Sequence, residues 1–126
     1  MPNVTLMEKK TREKVSEDKQ GFLGITGTTI AAETSEAYGI PVGVLVRSVT
    51  KNLAADEAGI KKGSVITKFD GYTVNTIEQL QERLTYYKAG EKVKVEIMVP
   101  AAGSNYKSQN LTVKLSNKAE NIDKVK

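Results

Sequence analysis

The strict alternation of Lys92-Val93-Lys94-Val95-Glu96-Ile97-Met98-Val99 constrains this chain more than any other stretch, because successive side chains on a β-strand point to opposite faces. Val93, Val95, Ile97 and Val99 must share one face, and that face must be covered. Pro100-Ala101-Ala102-Gly103-Ser104-Asn105 then supplies turn residues. Tyr106 to Leu115 returns as a partner strand with Leu111, Val113 and Leu115 on one side. A sheet with one wet face and one buried face follows.

Upstream of this hairpin, Asn75 or Thr76 can cap a helix from Ile77 to Lys88, in which Ile77, Leu80, Leu84 and Tyr87 recur at helical spacing and Gly90 stands just past the end. Val65 to Phe69 reads as a strand, Asp70-Gly71 as a tight reversal, and Tyr72-Thr73-Val74 as the returning chain. Gly43 to Val49 opens on a continuous apolar run, as expected where both faces of a strand are covered. Ala54 to Gly59 reads as a helical turn of small residues. Glu33 to Tyr38 reads as a short helix stopped by Gly39 and Pro41.

The ends are polar. Residues 1–20 read as a charged linker or connector helix, mobile or packed on a neighbouring molecule, and residues 116–126 as a disordered tail. The expected class is α+β: one domain over 21–115, a small partly open antiparallel β barrel or sandwich of five to six strands closed by two helices.

A length of 126 residues with 39% hydrophobic content suits one globular domain. No run approaches the roughly 18 apolar residues of a membrane span, and the first residues lack a signal peptide's apolar middle. The absence of histidine removes the base of a Ser-His-Asp or Cys-His system and, with no cysteine, the commonest zinc ligands. No catalytic residue, metal or cofactor is expected. The formal charge is +4, but Lys9-Lys10, Lys61-Lys62 and the C-terminal lysines lie far apart without interleaved aromatics. They read as solvated surface, and nucleic acid is not an expected partner.

The candidate site is Gly21-Phe22-Leu23-Gly24-Ile25-Thr26-Gly27, where an apolar run is set among glycines that let another group approach the main chain. It reads as a turn feeding an edge strand. The amides of Leu23, Gly24 and Ile25 could converge on an anion. A dinucleotide fingerprint does not fit, since the spacing is G-x-x-G-x-x-G and no helix starts at the third glycine. On these seven residues alone, a buried strand beginning at a glycine turn is the better reading.

The order of elements resembles a PDZ domain of the bacterial HtrA/Deg type, a family of trypsin-like serine proteases whose catalytic domain is followed by one or two PDZ modules. The resemblance rests on Phe22-Leu23-Gly24-Ile25, Gly43-Val44-Leu45-Val46, Ala54 to Gly63 with Val65-Ile66, Phe69-Asp70-Gly71, and the Ile77 to Tyr87 helix with Ala89-Gly90 behind it. Ser64 stands where the family usually has an acid, and Asp70-Gly71 where Asn-Gly is commoner.

The resemblance implies a peptide-binding module that captures C-terminal or extended segments of misfolded proteins by β-strand addition. It implies a bound carboxylate on the amides of Leu23, Gly24 and Ile25, with Gly24 glycine because a Cβ would obstruct that approach. The ligand's strand lies along an edge from Leu23 through Thr26 to Gly27. Its last, apolar side chain enters a pocket of Phe22 or Leu23, Ile25, Leu80 and Leu84, bordered by Arg83 and Tyr87. Affinity is expected in the micromolar range, roughly −8 kcal/mol. The implied partners are chain ends with an apolar last residue and a serine protease domain in cis, in an extracytoplasmic parent that is anchored at the cell surface and homo-oligomeric. A PDZ module of another protease class, or a non-catalytic adaptor, is the alternative.

Overall fold

Nine consecutive pairs, from Lys92 opposite Lys114 to Pro100 opposite Tyr106, join β6 (Lys92–Pro100) to β7 (Tyr106–Lys114) in an antiparallel ladder. The alternation is realised as expected, with Val93, Val95, Ile97 and Val113 buried. The computed structural model describes residues 13–101 and 105–117, so part of the expected turn lies outside the described residues. Ala101 N–H donates to the Asn105 carbonyl across its base at 2.7 Å.

The remaining elements are β1 (Gly21–Phe22), β2 (Ile25–Ile30), α1 (Ala32–Tyr38), β3 (Gly43–Val49), α2 (Ala54–Ala58), β4 (Val65–Phe69), β5 (Tyr72–Thr73), α3 (Ile77–Leu84) and β8 (Ser116–Asn117). The main sheet runs β2-β3-β4-β6-β7, and β5 pairs with β4. The fold is therefore the expected mixed one, an antiparallel sheet with short helices. One helix more than the two expected is present, because the turn of small residues at Ala54–Ala58 closes as a helix of its own, with Ala54 and Ala55 buried. Asp70 and Gly71 both have positive φ, 51° and 79°, as the tight β4–β5 reversal requires.

Helix α3 starts where the sequence indicates and ends sooner. Thr76 caps it, its side chain accepting from Gln79 N–H at 3.0 Å. At the other end the Thr85 hydroxyl donates to the Glu82 carbonyl at 2.6 Å, and the Tyr87 amide reaches back only three residues, to Leu84. This tighter turn takes Tyr87 out of helical phase and into the core. Its ring meets Phe69 edge-on at 5.0 Å, and its hydroxyl donates to Asp70 Oδ2 at 2.5 Å. Tyr87→Phe keeps the ring contact and leaves Asp70 without that donor, so a loss of about 1–2 kcal/mol is expected in urea unfolding. An unchanged midpoint would show that the hydroxyl adds nothing.

Both ends of the domain differ from expectation. Ser116 and Asn117, expected to begin a disordered tail, pair with Phe22 and Gly21 as β8. Residues 118–126 and 1–12 lie outside the described residues. From Glu13 onward the expected connector packs on its own domain: Val15 N–H donates to Thr85 O at 2.7 Å, Ala89 N–H to Lys19 O at 2.9 Å and Gly21 N–H to Tyr87 O at 2.8 Å. A 3-10 turn spans Glu17–Lys19. The bonds to Thr85 O and Tyr87 O satisfy carbonyls that the turn after α3 would otherwise leave bare. The Lys14–Glu82 ion pair, at 3.7 Å with both side chains mostly exposed, adds little.

Candidate functional site

Strand β2 is an outer strand of the sheet, hydrogen-bonded on one side to β3 alone. Thr50 N–H donates to Gly24 O at 2.8 Å, so Ile25, opposite Val49, occupies a non-hydrogen-bonded position of the ladder. Its N–H and C=O point away from β3. A bulge follows between Thr26 and Gly27. Gly27 lies opposite Val46, whose own N–H and C=O are taken by Ser64 and Gly63, so Gly27 also turns its backbone groups outward. The free edge thus offers Ile25 and Gly27 in alternation.

The loop between β1 and β2 is held from the inside by its carbonyls. Ala55 N–H donates to Leu23 O at 2.9 Å, and Thr50 N–H to Gly24 O. No acceptor for the amides of Leu23 or Gly24 is found among the described residues. Gly24 has φ 78°, which L side chains seldom adopt. A Cβ there would sit 2.7 Å from Leu53 Cβ, a demand for glycine that the resemblance did not indicate. The glycine is demanded by the loop's own packing.

Facing this edge, α3 lays one side along a groove of about 520 Å³, within the ~300–1,000 Å³ usual for ligand sites. The loop and β2 supply Phe22, Leu23, Gly24 and Ile25, and the helix supplies Leu80 and Leu84. These six expected residues are brought together. Leu23 and Leu80 are buried and form the floor, whereas Phe22, Ile25 and Leu84 are partly exposed. Thr26 belongs to the edge strand, but its side chain is exposed and is not among the groove's lining.

Arg83 and Tyr87 do not border the groove. Tyr87 is 1% exposed, in the core. Arg83 is on another side of α3, its guanidinium carbon 3.8 Å from the centroid of the Tyr72 ring, in a separate hollow with Thr73 and Gln79. For Tyr87 the expected helix phase was extended past Thr85, where the helix has already ended; Arg83 lies within α3 on a different side.

Sequence reading missed Ile77, Gln81 and Thr85, which line the groove from the helix, and Gln20 and Gly21, which close its end. Successive steps of four from Ile77 reach Gln81 and Thr85. Gln20 carries no such signal. At the other end Ile77 N–H donates to Thr29 Oγ1 at 2.9 Å, clamping α3 to β2. The charged side chains on the lining are Glu78 and Glu82, with no lysine or arginine. An anion at the loop would be held by backbone amides.

The family model described as PDZ domain matches residues 12–115. The chain belongs to the PDZ domain family. This PDZ domain is 33% identical over 84 residues to the periplasmic pH-dependent serine endoprotease DegQ of Escherichia coli K12, covering 65% of the chain and 18% of that protein. It is 29% identical over 105 residues to the periplasmic serine endoprotease DegP of the same organism, covering 82% of the chain and 21% of that protein. The chain therefore spans about a fifth of the length of these relatives.

Among solved structures, the HtrA-type protease AlgW with a decapeptide superposes with a TM-score of 0.62 at 23% identity, covering 79% of this chain and 30% of that one. The HtrA3 PDZ domain bound to a phage-derived ligand, FGRWV, superposes at 0.60 and 21% identity, covering 77% and 86%. At these identities the likeness is one of fold.

Proposed function

We propose that this PDZ domain binds the C-terminal end of an extended polypeptide by adding it as a strand to β2. The observation that carries the reading is the vacant backbone edge at Ile25 and Gly27, facing α3 across an apolar groove. The incoming carboxylate sits on the amides of Leu23, Gly24 and Ile25, where charge-assisted bonds are stronger than neutral ones. The last side chain descends between Ile25, Leu80 and Leu84, and burying a Leu- or Val-sized group there contributes about 1.5–3 kcal/mol. Main-chain bonds to Ile25 and Gly27 fix the direction of the strand.

The finer setting rests on the relatives. They are named serine endoproteases and periplasmic, which supports a protease domain in cis and an extracytoplasmic compartment for the parent of this chain. In that setting the domain captures exposed chain ends of misfolded proteins and feeds or regulates the protease. Catalysis lies outside this segment, which has no histidine to serve a trypsin-like triad. Membrane anchoring and homo-oligomerisation of the parent are part of the same reading.

Mapping by amide chemical shifts tests the site directly. Addition of a short peptide with a free carboxylate and an apolar last residue should move the amides of Leu23, Gly24, Ile25 and Gly27 and leave Arg83 and the β7 edge in place. Shifts confined to surfaces away from β2 and α3 would refute the reading.

A further inference from the structure

The groove leaves one charged surface unused. Lys92 and Lys94 project from the outer face of β6, and Lys92 stands directly opposite Lys114 of β7. On the other side of β6, Lys68 of β4 lies opposite Glu96. All four lysines are exposed. Scattered along the sequence, they are gathered onto one face by strand register.

One carboxylate, that of Glu96, shares the face with these four lysines and leaves it net positive. Glu96 accepts the Thr67 hydroxyl at 2.7 Å, Glu91 turns its carboxylate to Lys88 N–H at 2.6 Å, and Asp70 holds the Tyr87 hydroxyl. Among the described residues none of the four lysines has a carboxylate within ion-pairing distance. Like charges directly opposite on a ladder are destabilising, so the Lys92–Lys114 pair is a standing cost without internal relief.

We propose that this face docks on an anionic phospholipid surface. The shape and chemistry of the patch select that occupant. Lysine presents a compact point charge suited to phosphate, with none of arginine's planar, bidentate geometry. The exposed residues beside the lysines, Thr73, Asn110 and Thr112, are polar and offer no ring for a base to stack on. Strands about 4.8 Å apart, with same-face residues about 6.8 Å apart along each, set the ammonium groups in a two-dimensional array. Such an array matches a plane of headgroups better than a single anion. Because β3 separates β4, the nearest strand of this face, from β2, docking here leaves the edge at Ile25 and Gly27 open.

The test is co-sedimentation of the full chain with phosphatidylcholine vesicles, with and without phosphatidylglycerol. Vesicles containing the anionic lipid should pellet the chain, neutral ones should not, and binding should fall as salt rises. Lys92→Glu separates binding from folding, since it replaces a like-charge pair with an opposite-charge pair across the ladder. Its melting temperature should hold or rise, while vesicle affinity falls by about fivefold or more, the loss expected for one lysine near an anionic surface. Lys114→Glu should behave in the same way. Equal pelleting by neutral vesicles, undiminished binding by both variants, or tighter binding to a duplex oligonucleotide than to vesicles would overturn the proposal.

Discussion

A peptide with a free C-terminal carboxylate and an apolar last residue should bind about 10- to 150-fold more tightly than the same peptide amidated at its end. The range converts the ~1.5–3 kcal/mol of a hydrogen bond to a charged group into affinity. The groove concentrates this difference at one place. No lysine or arginine lines it, and Glu78 and Glu82 are its charged side chains. The carboxylate therefore depends on the amides of Leu23, Gly24 and Ile25, and at longer range it is repelled by the two acids. Titration calorimetry on the matched pair reads the effect, and added salt should leave the tighter complex intact, since short amide contacts are poorly screened. Equal affinities for acid and amide would remove the carboxylate from the mechanism.

The second large effect concerns stability. Gly24→Val should cost about 2–5 kcal/mol, combining ~1–2 kcal/mol for an L residue at positive φ with ~1–3 kcal/mol for overpacking. The overpacking has an identified cause, the approach of a new Cβ to within 2.7 Å of Leu53 Cβ and 2.8 Å of its Cδ1. In a domain of this size that lowers the melting temperature by roughly 10 °C or more. Adding Leu53→Ala should return the part of the overpacking owed to Cγ and Cδ1 and leave both the 2.7 Å approach to Cβ and the backbone strain, so the double variant should melt above Gly24→Val and below the parent. A Gly24→Val protein as stable as the parent would show that the loop yields freely, and the glycine would then have to be explained by ligand approach.

Most of the fold could be read from local pattern. Period-two alternation marked β6, paired turn residues at Asp70-Gly71 marked the β4–β5 reversal, and apolar spacing from Ile77 marked α3. Each of these signals is carried by neighbours in the chain. What stayed hidden depends on residues far apart. Two-residue strands such as Gly21–Phe22 and Ser116–Asn117 are too short for any periodicity, and they form because the folded domain brings its ends together. The docking of Val15 on Thr85 likewise follows from where α3 stops.

The site divides the same way. Its apolar members, Leu80 and Leu84 from the helix and Ile25 from the strand, were legible because burial leaves a pattern. Tyr87 was misplaced because a helix was continued across Thr85, and nothing local reveals that it is drawn inward by Phe69 and Asp70; Arg83 lies within α3, on the side that meets Tyr72 instead of the groove. The packing demand at Gly24 stayed hidden for a related reason. A glycine advertises freedom of φ, but which neighbour forbids a side chain is a fact of three dimensions.

The pairing of Gly21–Phe22 with Ser116–Asn117 makes this module easy to transplant. Entry and exit run side by side, so a host protein need open only a narrow gap in a surface turn to accept it, and the host's own framework would scarcely be disturbed. The same closeness would let the chain be reclosed there and cut elsewhere. The paired strand ends would then remain beside the groove whatever order the pieces were joined in.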